Sequence, residues 1–347
     1  MEIHHKTEAE RKAVLDVLAD VPFPSVNADR PAGLLKRCPA ASVTPLVDAP
    51  ELASRAGVAH VQIKDERERM DLGSFKALGA AYVIAQDAET GAAKGQTYVT
   101  ASAGNHGLSV AAGAQAFGAH AVVYLAETVP EGFADRLRGF GAEVVRQGAI
   151  YEEAMAAAAQ AAKDRDWALL SDSSWPGYFD RPHVLMEGYL VLMQEAVSQM
   201  PAPPTHIFLQ AGVGGLAAAA AAYARKAWGD APRIIVVEPE VAPALFASVV
   251  AGSPQITAGP ESAMGRLDCK EPSLIALKGL SRDADDFMLI TESEGATGSA
   301  ACAEAGLPTS PSGAAGYAGL LAARDSFDAL GLSDQSRVLV VLSEQAA

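Results

Sequence analysis

The sequence predicts an α/β protein with two open, mostly parallel, twisted sheets flanked by helices, the smaller domain inserted in the larger. Three observations carry this reading. Short β-branched apolar runs alternate with longer helical stretches along most of the chain, the pattern of βαβ units. Four strand candidates stand together between about 95 and 195, and Pro201, Pro203 and Pro204 separate them from a second series. Half of the 347 residues are hydrophobic and 20% are charged, the composition of a compact protein large enough for two cores. The expected partition is 1–94 with 196–347 as the large domain and 95–195 as the small one.

The first forty residues read as a helical arm and then a segment broken by Pro22, Pro24, Pro31 and Pro39, leading to Thr44-Pro45-Leu46. Strands are expected from Ala59 to Ile63, Thr97 to Thr100, Ala121 to Leu125, Glu143 to Arg146, Ala168 to Leu170, His206 to Gln210, Arg233 to Glu238, Phe287 to Ile290 and Val338 to Leu342. Each is a short stretch rich in apolar and β-branched residues. Helices are expected from Phe75 to Glu89, Gly107 to Phe117, Tyr151 to Asp164, Val184 to Gln199, Leu216 to Trp228 and Gly313 to Leu330. Their alanine runs favour helix and permit close packing.

A formal charge of −15 leaves no basic stripe for nucleic acid or an anionic membrane surface. Cys38, Cys269 and Cys302 are odd in number and far apart, so neither a disulfide framework nor a zinc site is expected, and no metal ligands are assigned. The amino terminus lacks an apolar signal core and no apolar run is long enough to span a bilayer, so a cytoplasmic protein is expected.

Lys76 lies between Phe75 and Ala77-Leu78, just after the charged run Lys64 to Arg69. A lysine withdrawn from water has its ammonium disfavoured, which frees the amine to attack a carbonyl. The alternative is a snorkelling lysine on the first turn of a helix. Three glycine-bearing turns each open a helix: Ser102-Ala103-Gly104-Asn105-His106-Gly107, Gly212-Val213-Gly214-Gly215-Leu216 and Ser310-Pro311-Ser312-Gly313. Backbone amides there could hold a phosphate at the positive end of the helix dipole, or the turns could be plain strand-to-helix connections. None matches a nucleoside triphosphate loop or the full dinucleotide fingerprint. With no Lys or Arg in Gly212 to Leu216, an anion held there is held by amides alone, which suits a phosphate monoester.

From about Thr44 to Ser343 the sequence resembles the fold type II pyridoxal-phosphate enzymes, the tryptophan synthase β and threonine dehydratase superfamily, and within it the diaminopropionate ammonia-lyases. The resemblance rests on Phe75-Lys76-x-Leu78-Gly79, Gly104-Asn105-His106-Gly107, Ser171-Asp172-Ser173-Ser174-Trp175-Pro176-Gly177-Tyr178, Met186-x-Gly188-Tyr189, Leu209-Gln210-Ala211-Gly212-Val213-Gly214, Val237-Glu238-Pro239 and Cys269-x-Glu271-Pro272, all in one order. It implies pyridoxal 5'-phosphate as cofactor, a small amino acid as substrate, a homodimer, and a large cofactor-binding domain beside a small mobile one. It implies that Lys76, next to Phe75, forms the Schiff base and then acts as the base at Cα, with Asp172 moving a proton to or from the leaving group. Asn105 then meets the ring hydroxyl, Gly212, Val213, Gly214, Gly215 and Leu216 bind the phosphate, and Ser343 faces the pyridine nitrogen. Ser102, Ala103, Gly104 and His106 line the substrate, His106 mainly by packing. A neutral hydroxyl at the ring nitrogen makes a weak electron sink, which favours expulsion of a β-leaving group. The implied reaction is α,β-elimination from a small L-amino acid such as 2,3-diaminopropionate, through aminoacrylate to a 2-oxo acid and ammonia. The alternative is a serine/threonine-type dehydratase or another β-eliminase acting on a β-hydroxy or β-thio amino acid.

Two departures from the lyase pattern bear on substrate choice. Ala103 stands where the lyases carry an aspartate associated with the D-isomer, which implies an L-preference. Ser310 stands where relatives carry a glutamate before or at the proline.

Overall fold

The computed structural model describes residues 1–346. In chain order the elements of the first part are β1 (Glu2–His5), α1 (Glu8–Val17), α2 (Asp29–Leu35), β2 (Leu46–Asp48), α3 (Pro50–Ala56), β3 (His60–Asp65) and α4 (Ala77–Glu89). Next come β4 (Thr97–Ala101), α5 (Asn105–Ala116), β5 (His120–Leu125), α6 (Glu131–Gly139), β6 (Glu143–Arg146), α7 (Tyr151–Arg165), β7 (Ala168–Leu169) and α8 (Asp180–Gln199). The chain ends with β8 (His206–Gln210), α9 (Gly215–Trp228), β9 (Arg233–Pro239), α10 (Ala244–Ala251), α11 (Leu274–Asp283), β10 (Asp286–Ile290), α12 (Glu292–Glu304), α13 (Ala315–Ala322), α14 (Phe327–Leu330) and β11 (Arg337–Leu342).

Two sheets result. The larger has the order β1-β10-β9-β8-β11-β3-β2 and is parallel except for its two edge strands, and the smaller, β6-β5-β4-β7, is parallel throughout. The edges β1 and β2 were not expected: three or four residues that pair on one side only carry too little apolar periodicity to be read. The helix expected from Gly313 to Leu330 is broken, running as α13, a 3₁₀ turn over Ala323–Ser326 and the short α14. Asp325 and Ser326 there compete for backbone hydrogen bonds and favour a turn. Helices α2, α3, α6, α10, α11 and α12 lie outside the helical stretches named from the sequence.

One apolar cluster runs between the sheets, joining Tyr98, Leu108 and Val123 to Ile207, Leu209 and Ile234 through α4, α8 and α9. Two glycines let α4 and α8 cross closely. A Cβ on Gly79 would meet the Tyr189 ring at 2.6 Å, and one on Gly188 would meet the Leu78 carbonyl oxygen at 2.2 Å. These are the glycines of the Leu78-Gly79 and Gly188-Tyr189 motifs, and their closeness seats Tyr189 under the start of α4.

The charged run after β3 is not a solvated face. Lys64, Glu66 and Arg69 are fully buried and close a network with Glu195 of α8. Lys64 Nζ donates to Glu195 at 2.7 Å, and Arg69 Nη2 donates to Glu66 and Glu195 at 2.7 Å each and to Thr44 Oγ1 at 2.8 Å. Burial works to raise the Glu195 pKa, but the bonds from Arg69 and Lys64 outweigh it and hold it below the usual range. That contribution is present above the ordinary carboxylate pKa and is lost as the pH falls through the lowered one. Arg69→Ala leaves two buried carboxylates short of a counter-charge and is expected to destabilise the protein by about 3–5 kcal/mol in a urea titration. Lys12→Ala, which breaks the exposed pair with Asp16, is expected to cost less than about 0.5 kcal/mol. Similar losses for the two would contradict a buried network.

Candidate active site

In an open parallel sheet, ligands bind beyond the carboxyl ends of the strands where the winding reverses. The larger sheet reverses between β8 and β11, and the smaller between β4 and β7. The segments that leave those four strands are Gly212 to Leu216 after β8, Ser343 after β11, Ser102 to Gly107 after β4 and Asp172 after β7. Topology therefore gathers into one cleft the residues that the sequence marked.

Lys76 reaches the cleft from the other side. Phe75 N donates to Ser343 O at 3.1 Å, which pins the start of α4 to the end of β11. Lys76 Nζ donates to Asp172 Oδ2 at 2.5 Å and lies 5.2 Å and 5.7 Å from the ring centres of Phe75 and Tyr189. The expectation of a disfavoured ammonium needs correction. Burial does act to lower the Lys76 pKa, but the Asp172 carboxylate in contact with it raises the value above the usual range. Burial likewise works to raise Asp172, and Lys76 overcomes it and holds the carboxyl well below the usual range. The pair is an ion pair at neutral pH. An amine in such a pair could act as a nucleophile only after its proton passes to the carboxylate or to an incoming ligand.

The loop bearing Asp172 is tied on several sides. His106 Nε2 bonds the Leu170 carbonyl at 2.8 Å, the Tyr178 hydroxyl donates to Leu169 O at 2.9 Å and accepts from Ser171 N at 3.1 Å, and the Ser174 hydroxyl meets that of Ser273 at 2.8 Å. Burial lowers the His106 pKa, so its ring is neutral and serves to hold this loop. Trp175 and Tyr178 stack at 4.4 Å, which explains the Trp-Pro-Gly-Tyr run.

These residues fit pyridoxal 5'-phosphate. Among the described residues nothing accepts from the amides of Gly212, Gly214, Gly215 or Leu216, which form a cluster of free N–H groups at the start of the 14-residue α9. Side chains are excluded there. Gly214 has φ +98, and a Cβ on it would lie 2.9 Å from Ala276 Cβ, while one on Gly212 would lie 3.0 Å from Cys269 Sγ. The Ser343 hydroxyl has no partner among the described residues and is available to a ring nitrogen. Asn105 Nδ2 donates to Glu344 Oε2 at 2.5 Å, a partner that the sequence did not suggest.

Ser102 Oγ accepts from Gly104 N at 3.1 Å, and the Ala103 carbonyl accepts from Arg266 Nη1 at 3.2 Å, both shaping the turn that precedes α5. Arg266, Glu344, Tyr189 and Tyr151 were not anticipated. The Tyr151 ring is half exposed, but its hydroxyl is desolvated beside Asp172 and Cys269, and both effects push its pKa up. Burial also pushes the Cys269 thiol up to about 12, so it is not a nucleophile. A separate open cleft of about 710 Å³ lies at the opposite ends of β8, β9 and β10, where Arg225 pairs with Asp285 and Arg233 with Asp286.

Residues 38–344 match the model of the family described as pyridoxal-phosphate dependent enzyme. The chain is 35% identical over 269 residues to the diaminopropionate ammonia-lyase of Salmonella typhimurium, covering 70% of this chain and 67% of that one. The crystal structure of the Escherichia coli diaminopropionate ammonia-lyase in complex with D-serine superposes with a TM-score of 0.87 at 27% identity, over 99% of this chain and 93% of the other. The biosynthetic L-threonine dehydratase of Escherichia coli is 33% identical over 216 residues, 62% of this chain but 39% of the dehydratase.

Proposed function

The chain belongs to the pyridoxal-phosphate dependent enzymes, in their diaminopropionate ammonia-lyase branch, and from that premise we propose that it eliminates ammonia from L-2,3-diaminopropionate. The observation that carries this reading is the ion pair of Asp172 with Lys76. When bound, the cofactor supplies an electrophilic carbonyl carbon and a conjugated ring that withdraws electrons from the substrate's Cα. Lys76 Nζ, held against Asp172 beside the Phe75 and Tyr189 rings, would be the amine that meets that carbonyl. In its neutral form Nζ would take the proton from the substrate's Cα.

Asp172 then loses its lysine partner and needs another cation in a buried site. The β-ammonium of diaminopropionate is such a cation. An ionised Asp172 keeps that nitrogen protonated, the form in which it departs as neutral ammonia with the C–N electron pair. A β-hydroxyl needs a proton donor instead, which an ionised carboxylate is not, so this geometry favours the amine over the alcohol. The eliminated unsaturated amine hydrolyses to the 2-oxo acid. His106, being neutral, adds no competing charge.

Lys76 is the one basic side chain assigned to Cα, and Ala103 cannot take a proton from the opposite configuration. An L-preference follows. In a steady-state screen, L-2,3-diaminopropionate is expected to exceed its D-isomer and L-serine in kcat/KM by about tenfold or more. Comparable turnover of both enantiomers contradicts the L-preference, and faster turnover of L-serine or L-threonine contradicts the amine leaving group. A small mobile domain over 95–195, a homodimer and a cytoplasmic location complete the proposal, supported by the separate four-stranded sheet, by family resemblance and by three unpaired cysteines. Among the described residues no helix is long and apolar enough to cross a membrane.

A further inference from the structure

Glu344 follows Ser343 directly and is 7% exposed, yet neither proton transfer described above uses it. Its carboxyl is held from three separate segments of the chain. Asn105 Nδ2, at the start of α5, donates to Oε2 at 2.5 Å. The Ser310 hydroxyl donates to Oε1, and Arg266 Nε lies 3.8 Å from Oε2. Burial pushes the carboxyl's pKa up, while Ser310, Arg266, Asn105 and Lys76, the groups that face it, act in the other direction. The backbone is fixed as firmly: Thr309 Oγ1 donates to Glu344 O at 2.5 Å, and Gln345 N donates to Gly73 O at 3.0 Å. One segment therefore carries Ser343, braces the approach to Lys76 and presents Glu344 to Asn105.

An asparagine amide can face its surroundings in two ways, with its NH2 and its carbonyl exchanged. A carboxylate removes the choice, because it accepts hydrogen bonds and repels an amide carbonyl. We propose that Glu344 is a positioning residue of the cofactor site, one that accepts an Nδ2 hydrogen of Asn105 and so reserves the second Nδ2 hydrogen for the oxygen substituent of the cofactor ring. Without Glu344 the amide turns freely, and half of its orientations set the wrong group against that oxygen. Ser310 helps to seat the same carboxyl, so the turn before α13 holds an acid brought from the end of β11.

This inference rests on the cofactor and not on the elimination reaction, so cofactor binding alone tests it. Cofactor-free protein is titrated with pyridoxal 5'-phosphate, and the dissociation constant and the absorption spectrum of the bound cofactor are recorded from neutral to alkaline pH. Glu344→Ala is expected to weaken binding about tenfold, the size of one lost charge-assisted hydrogen bond, and to alter the pH dependence of the spectrum. Glu344→Gln keeps the shape and one acceptor, and is expected to weaken binding by about two- to fivefold. Because Glu344 acts through Asn105, adding either change to Asn105→Ala is expected to cost no more than about a further twofold. A wild-type dissociation constant and spectrum in Glu344→Ala overturns the proposal, as do penalties that add in full in the double variants. A lowered Tm with unchanged binding also overturns it, since that is the mark of a purely structural residue. If Glu344→Ala does not fold, the cycle of Glu344→Gln with Asn105→Ala decides.

Discussion

Lys76→Ala is expected to abolish the visible absorption of bound cofactor and to reduce 2-oxo acid formation by about 10³-fold or more, because nucleophile and base are lost together. The same change has a consequence for the cofactor-free protein. In the wild type, Lys76 has a raised pKa and Asp172 a lowered one. The lysine's share of stability is complete below its ordinary pKa and fades as the pH rises through the raised value. The aspartate's share is complete above the ordinary carboxylate pKa and fades as the pH falls through the lowered value. Removing the lysine leaves burial to raise the Asp172 pKa, so the variant is expected to lose less stability on acidification than the wild type. Lys76→Arg separates the two roles. It restores a permanent cation beside Asp172 and the acid sensitivity, but not activity, since a guanidinium does not lose its proton. An active Lys76→Arg, or unchanged cofactor absorption in Lys76→Ala, contradicts the assignment.

Asp172→Asn is expected to lower kcat on L-2,3-diaminopropionate by about 10²- to 10³-fold while cofactor stays bound. The amide keeps the shape of the side chain and removes its charge. The β-ammonium then enters a buried site without a counter-ion, and the nitrogen is no longer kept in its departing form. A second effect falls on Lys76: with Asp172 neutralised, burial loses its main opponent and pushes the lysine's pKa down. Residual turnover of a β-chloro or other intrinsically good leaving group is expected to fall far less, because that group departs without an ammonium partner. Equal losses on both substrates would assign Asp172 to holding the fold of the site and not to the leaving group.

Much of this site was legible because the groups involved are punctuated in the chain. Asn105, Gly212 to Leu216 and Ser343 each follow a strand, and strand ends at a reversal of winding meet in space, while Lys76 opens the helix α4. Asp172 was legible only with its neighbours, since Trp175, Tyr178 and Ser174 are what hold its loop. Glu344 escaped notice because its importance comes from Asn105, far away in the chain. Its own neighbourhood, Ser343-Glu344-Gln345, resembles an ordinary polar terminus. Arg266 sits in a stretch without regular structure, where no periodicity marks a side that faces the cleft. The burial of Lys64, Glu66 and Arg69 was not legible for a related reason. Charges are read as solvated unless their partners are visible, and the partner Glu195 belongs to a helix whose sequence shows only that it is amphipathic. The interrupted helix after Gly313 shows the limit of propensity, which cannot weigh alanine-rich turns against a competing Asp-Ser pair.

The central claim, an ammonia-lyase that expels a β-amino group, is tested most directly by product stoichiometry. Ammonia and 2-oxo acid are measured together in one reaction of the cofactor-loaded enzyme with L-2,3-diaminopropionate. The account predicts two molecules of ammonia for each 2-oxo acid, one from the β-carbon and one from hydrolysis of the unsaturated amine. It also predicts that both products vanish in Lys76→Ala. No 2-oxo acid from this substrate, alongside ready release of one ammonia per 2-oxo acid from L-serine or L-threonine, would contradict it.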